Sequence, residues 1–294
     1  MNKLPSKPQR DTIFVQQAEI LSHDAFAGEQ YILRVQAGKI AQHARAGSFV
    51  HIQCDPSLPM RRPISIMRVD PTAGWIELLY KVFGHGTALL ARRQVGEKLD
   101  MFGPIGMPFS LHENKTRPLL IGGGVGIPPM IFVADELRKS KAYTSFVIMG
   151  SEVPFPFQSK PSTIMVPGMP DGVIACMPLL EDWGIASRLT STQGYPGCHD
   201  GYVTDLARHY LTALDKTQLA QIEIFSCGPT IMLEAVARLA REFAVPCQVS
   251  LEEHMACAVG GCAGCVVKVH TDDGPAMKRV CVDGPVFDAY RVFG

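Results

Sequence analysis

The chain has 294 residues, 28 basic and 28 acidic, so it carries no formal net charge, and 47% of it is hydrophobic. That length suggests two or three domains, each with chain enough for a core, and the hydrophobic content excludes disorder. The neutral balance leaves no basic stripe for a nucleic acid.

Residues 1–21 contain no apolar stretch of the secretory kind. Nowhere do about 18 apolar residues run uninterrupted, which argues against a membrane span. The sequence therefore reads as cytoplasmic. Cysteines stay reduced there, and a group of them points to a metal site or catalysis rather than a disulfide framework. From about residue 10 to 110 the pattern is all-β. Short alternating runs such as Tyr31–Val35 and Trp75–Val82 are divided by turns at Gly38, Gly47, Pro71–Gly74 and Gly96. This spacing predicts a small barrel or sandwich. Within it, Arg61-Arg62-Pro63-Ile64-Ser65-Ile66 places an arginine and a hydroxyl on one strand, a pairing suited to a phosphate and an isoalloxazine edge. A solvated strand end would look the same. Gly84-His85-Gly86-Thr87 then leads into a short helix predicted over Ala88–Arg93. Its backbone N–H groups could face a pyrophosphate.

A polar linker, Glu113–Pro118, marks the change to a second pattern. Leu119-Leu120-Ile121 reads as a strand, Pro129–Arg138 as a helix and Ser145–Gly150 as a strand buried on both faces. Between the first two stand Gly122, Gly123, Gly124 and Gly126. The position suits dinucleotide phosphates at a helix start, although the spacing is neither G-x-G-x-x-G nor a P-loop. Residues 151–200 are rich in proline and glycine, and no elements are assigned to them. Ile222–Ser226 reads as a further strand, running into Cys227-Gly228-Pro229 and a helix from Thr230 to Phe243. Strand, turn and helix repeated this way predict a parallel α/β domain. Cys227 would sit at the carboxyl edge where ligands bind, or be a plain core cysteine.

Four of the nine cysteines fall within 25 residues near the end: Cys257, Cys262, Cys265 and Cys281. C-x4-C-x2-C with a distant fourth cysteine is the plant-type spacing for a [2Fe–2S] cluster. Zinc with four cysteines is the alternative, and usually uses two short knuckles instead. The chain thus divides into 1–112 (β), 113–246 (α/β) and 247–294 (cluster-bearing).

Arg62-Pro63-Ile64-Ser65, Gly122–Gly126, Cys227-Gly228-Pro229 and the cysteine tail, in this order, resemble the ferredoxin–NADP reductase superfamily. Ser250–Cys262 and Val280–Phe287 are very similar to the electron-transfer subunits of type B dihydroorotate dehydrogenases. The resemblance covers nearly the whole chain. It implies FAD held by Arg62 to Ser65, by Leu79-Tyr80-Lys81 and by Gly86-Thr87. It further implies NAD(H) at Gly122, Gly123, Gly124, Gly126, Gly228 and Pro229, with Cys227 positioning the nicotinamide. The cluster would be held by Cys257, Cys262, Cys265 and Cys281. The implied partner is an FMN-containing dihydroorotate dehydrogenase catalytic subunit in a hetero-oligomer. A related reductase serving another redox protein (a hydrogenase or sulfur reductase, a transhydrogenase or an oxygenase) is the competing expectation. His254 stands where family members often carry arginine.

Overall fold

The computed structural model describes residues 12–294. Residues 1–11, which carry part of the segment read for a secretory leader, lie outside the described residues. Strands β1 (Phe14–Phe26), β2 (Gln30–Gln36), β3 (Phe49–Ile52), β4 (Arg62–Asp70), β5 (Trp75–Lys81) and β6 (Lys98–Ile105) form a closed antiparallel barrel in the order β1-β2-β5-β4-β3-β6. Closure leaves no unpaired strand edge. Alternate residues point inward, and Leu33, Val35, Ile52, Ile66, Ile76, Leu78, Leu99 and Met101 fill the interior. Two short helices sit in the connections, α1 (Gly38–His43) and α2 (His85–Leu90). The second begins three residues earlier than the sequence pattern predicts, because Gly84 supplies the turn at φ 79°.

The second unit runs through β7 (Arg117–Gly123), α3 (Ile127–Leu137), β8 (Phe146–Gly150), a small hairpin β9 (Lys160–Pro161) and β10 (Ala175–Cys176), α4 (Pro178–Asp182), β11 (Ala186–Ser191) and β12 (His199–Asp200). It continues with α5 (Val203–Thr212), α6 (Lys216–Ala220), β13 (Ile222–Cys227) and α7 (Thr230–Glu242). The final segment contributes β14 (Cys247–Ser250), the hairpin β15 (Val266–Thr271) and β16 (Gly274–Arg279), β17 (Val286–Asp288) and α8 (Ala289–Phe293). The main sheet has seven strands in the order β12-β11-β8-β7-β13-β14-β17. All neighbours are parallel except β14 and β17. Two strands from the cysteine-bearing segment thus complete the nucleotide-type sheet. Helix α3 packs against β4, joining sheet to barrel through a shared core that includes Ile64, Met130 and Ile131.

Strand order reverses between β7 and β13. In open α/β sheets, ligands bind at the carboxyl ends on either side of such a switch point. The register places Cys227 opposite Gly122 there. The glycine turn and the Cys-Gly-Pro turn are therefore neighbours in space, about 100 residues apart in sequence.

Candidate functional site

Three groups of residues flank this edge. The first lies on the barrel. Ile64 and Ile66 point inward, whereas Pro63 and Ser65 stay half-buried on the other face of β4. The Arg62 guanidinium donates to the carbonyls of Met60 and Arg61, at 3.0 and 3.1 Å. It lies against the first turn of α2: a Cβ placed on Gly86 would stand 2.9 Å from Arg62 Nε. Sequence-distant Arg62 and Gly86 are thus brought together. The Thr87 hydroxyl accepts from the Phe83 N–H at 2.7 Å and faces the Gly84 carbonyl at 3.3 Å, so it braces this turn from within. Leu79 and Tyr80 are buried, and Lys81 is exposed. The Tyr80 hydroxyl meets His23 Nε2 at 2.8 Å, and its ring stacks on Tyr31. Burial pushes the Tyr80 hydroxyl far above its ordinary pKa. The side chain is a core anchor, which leaves backbone and Lys81 as the groups β5 can offer a ligand.

The second group is the glycine edge. Gly122, Gly123 and Gly126 are buried, and Gly124 takes φ 54°. A single 3-10 turn, Gly124–Gly126, precedes α3, which therefore starts two residues before the predicted Pro129. A Cβ on Gly126 would overlap the Cys227 carbonyl, so the two turns touch backbone to backbone. Pro229 caps α7. The Cys227 thiol is fully buried, 3.9 Å from Glu252 Oε1. Burial first, and then the Glu252 charge, push that thiol well above its ordinary pKa. Burial likewise raises the Glu252 carboxyl, against a lowering contribution from its contact with Cys227. Sequence reasoning missed Glu252, because its contact depends on β14 lying beside β13.

The third group is the cysteine loop. Cys257 Sγ accepts the Cys262 N–H at 3.4 Å, and Cys262 Sγ accepts the Gly264 N–H at 3.4 Å. Ala258 and Ala263, each just after a cysteine, adopt left-handed φ of 53°. This turns successive N–H groups toward the sulfurs, in the manner of an anion nest. Burial raises the Cys257 thiol, but N–H groups of Val259, Cys262 and Gly261 overcome it and bring it down to about 7. Cys265 and Cys281 form the second pair: burial and the neighbouring Cys265 push Cys281 up to about 12. The Val280 N–H donates to the Cys265 carbonyl at 2.9 Å, tying the distant cysteine to the loop. Arg279 fastens it further, donating to the Gly260 carbonyl and to Asp283. Among the described residues, no three His, Cys, Asp or Glu side chains converge on a point suited to one metal ion. The four thiols fall into two pairs, and that donor set fits a two-iron cluster better than a single zinc.

His51 links the first group to the third. Its buried ring has no well-formed hydrogen bond and faces the backbone of Arg61 and Met255, the latter two residues before Cys257. Burial, then the Arg61 charge, hold its pKa down to about 4. An unfolded chain protonates this histidine near 6.5, so between pH 6.5 and 4 the unfolded state binds the extra proton. Stability then falls as pH falls through that window. Denaturant unfolding should show the wild type losing up to about 3 kcal/mol more than His51→Phe over it. Equal losses would mean that His51 is not the responsible group.

No helix is long and apolar enough to cross a membrane among the described residues. A family model described as the iron-sulfur cluster binding domain of dihydroorotate dehydrogenase B matches residues 252–293. A protein of Desulforamulus reducens named "Dihydroorotate dehydrogenase B (NAD(+)), electron transfer subunit" is 32% identical over 94% of this chain and 97% of its own length. Its namesake from Shouchella clausii is 30% identical, over 97% and 98%. Among solved structures, that of an NADH-dependent reduced ferredoxin–NADP oxidoreductase aligns with TM-score 0.76 and 28% identity. It spans 94% of this chain and 90% of that one. The ferredoxin reductase of carbazole 1,9a-dioxygenase shares the fold at TM-score 0.61 and 21% identity, over 80% and 67%. With whole-length relatives of one name and a matching cysteine segment, the chain belongs to the family of dihydroorotate dehydrogenase B electron transfer subunits.

Proposed function

We propose that this subunit carries electrons between NAD(H), FAD and a [2Fe–2S] cluster, to or from an FMN-containing dihydroorotate-oxidising subunit in a hetero-oligomer. The observation that carries this reading is the pairing of Cys281 and three thiols of a loop whose lead-in, Leu251–Met255, passes both Cys227 and the barrel strand bearing His51. When bound, the flavin exchanges a hydride with the nicotinamide and single electrons with the cluster. Arg62 supplies positive charge and the Gly86 turn supplies N–H groups for the flavin phosphates, with Ser65 on the same strand toward the ring. Gly122 to Gly126 let the nucleotide backbone approach closely, and Gly228 and Pro229 shape the nicotinamide end. Cys227 is fully buried, so we assign it positioning beside the reacting edge, where its thiol lies 3.9 Å from Glu252. Cys257, Cys262, Cys265 and Cys281 hold the irons, and loop N–H groups stabilise their sulfur charge. We take 1–112, 113–246 and 247–294 as the flavin, nucleotide and cluster segments. We place the protein in the cytoplasm, where such thiols stay reduced.

Anaerobic mixing tests the assignment. Dihydroorotate should bleach the flavin and cluster absorption only when the FMN subunit is present, and NADH should bleach the flavin without it. Failure of the first with success of the second would favour a sibling reductase. The 28% identity to a bifurcating oxidoreductase gives that second reading its support.

A further inference from the structure

We propose that a cavity at the amino edge of the main sheet binds a small organic anion, one carboxylate on a single flat ring. It lies where β7, β8 and β11 begin, at Arg117, Phe146 and Ala186, and so at the opposite end of the strands from the glycine turn. It is independent of the flavin and nucleotide assignments. Its volume is about 260 Å³. That is just below the range typical of drug-sized ligands, so it suits one ring and excludes a dinucleotide. The charge in it has one sign. Arg117 and Arg138 line it, and among the described residues no carboxylate does. The Arg117 guanidinium faces the Tyr210 hydroxyl. Arg138 shares a single carboxylate, Asp135, with Lys139: its Nε donates to Oδ1 at 2.6 Å, while Lys139 Nζ stands 3.4 Å from Oδ2. Positive charge is therefore in surplus, and a guanidinium offers a carboxylate two parallel N–H donors. The last carbonyls of α3 nearby are already engaged, those of Ala134, Glu136 and Leu137 accepting the N–H groups of Arg138, Lys139 and Ser140.

The walls select the body of the ligand. Phe146 and Tyr210 are buried, with ring centroids 4.8 Å apart, and with Leu137 and Ile185 they give the cavity an apolar lining. Inorganic phosphate would give up hydration against such a wall without return, whereas a ring carrying the carboxylate gains from it. The outer wall, Ile164 to Pro167, belongs to the segment in which the sequence shows no pattern, yet it is fixed at both ends. The Ile164 carbonyl accepts from Arg188 Nη2 at 2.8 Å. Gly168 packs so closely on α5 that an added Cβ would overlap the His209 carbonyl. The cavity is thus held open by its own framework, as a preformed site requires.

Calorimetric titration of the full-length holoprotein with benzoate, benzamide and inorganic phosphate, with and without NADH, tests the site. Benzoate should bind, and NADH should change its affinity by less than about twofold, since the two ligands occupy opposite ends of the strands. Neutral benzamide and inorganic phosphate should each bind at least about tenfold more weakly. Arg117→Gln should weaken benzoate by roughly tenfold to a hundredfold, the worth of a charge-assisted hydrogen bond, and leave NADH affinity unchanged. Val166→Trp fills the cavity from its outer wall with both arginines in place and should block benzoate, which gives a second check if Arg117→Gln fails to fold. No detectable binding at millimolar benzoate, competition between benzoate and NADH, phosphate binding as tightly as benzoate, or full benzoate affinity in a folded variant would each overturn the proposal.

Discussion

Replacement of Cys262 by serine should abolish the cluster and leave the flavin half of the protein working. Cys262 is an exposed thiol whose sulfur accepts the Gly264 N–H, while its own N–H is donated to Cys257. Serine keeps that backbone hydrogen bond, so the loop should still form. What it removes is a soft thiolate, the donor type that iron–sulfur clusters require. The long-wavelength absorption and the reduced-state paramagnetic signal should vanish. Electron delivery to a one-electron protein acceptor should drop by about 100-fold or more, given that even losses outside the ligand shell cost 10–100-fold. NADH-driven reduction of a dye through the flavin should stay within about twofold, because barrel and glycine edge are untouched. Cys198→Ser, at a half-buried thiol outside the loop, serves as the control. A variant that keeps its cluster, or that loses flavin as well, would contradict the division of labour.

The second large effect concerns Gly126. An added methyl would overlap the Cys227 carbonyl, and the neighbouring atoms there are backbone, which cannot rotate aside. Gly126 itself has φ −83°, so alanine is not excluded by its own dihedral but by this contact. Relief requires the glycine turn and the Cys-Gly-Pro turn to separate. Overpacking of this kind costs about 3 kcal/mol, or roughly 6–12 °C in Tm for a unit of this size. NADH affinity should fall by about tenfold or more, since both halves of the proposed nucleotide site move together. FAD affinity should be unchanged. Gly96→Ala, in a barrel turn with open space around it, carries strain from φ 87° but no clash, and should leave NADH binding alone. If Gly126→Ala binds NADH normally, the nucleotide lies elsewhere.

What the sequence revealed was local chemistry. The cysteine spacing was readable because ligands on one loop must obey the loop's own geometry. The barrel strands were readable because one face of each is buried, which produces alternation. Strand β11 escaped notice for the opposite reason. Its residues Ser187, Arg188, Thr190 and Ser191 are polar yet buried. Arg188 is satisfied by the carbonyls of Val173, Ser187 and Ile164, an arrangement that removes any hydrophobic run. Helix α5 was passed over because Tyr202, not a serine or aspartate, occupies its N-cap, with Asp205 accepting the Tyr202 N–H. The Cys227–Glu252 contact and the Arg62–Gly86 contact arise from tertiary neighbours, which no spacing rule encodes. The resemblance names Tyr80 among the flavin residues; its hydroxyl meets His23 and its ring stacks on Tyr31, pairings that only the barrel's closure creates.

The central claim is that one chain carries both a flavin and a two-iron cluster. Anaerobic purification followed by iron, acid-labile sulfide, zinc and flavin analysis, with the visible spectrum of the same sample, tests it most directly. Each chain should hold about two irons, about two sulfides and about one FAD, in a coloured protein. A colourless protein holding zinc, without sulfide or flavin, would contradict it.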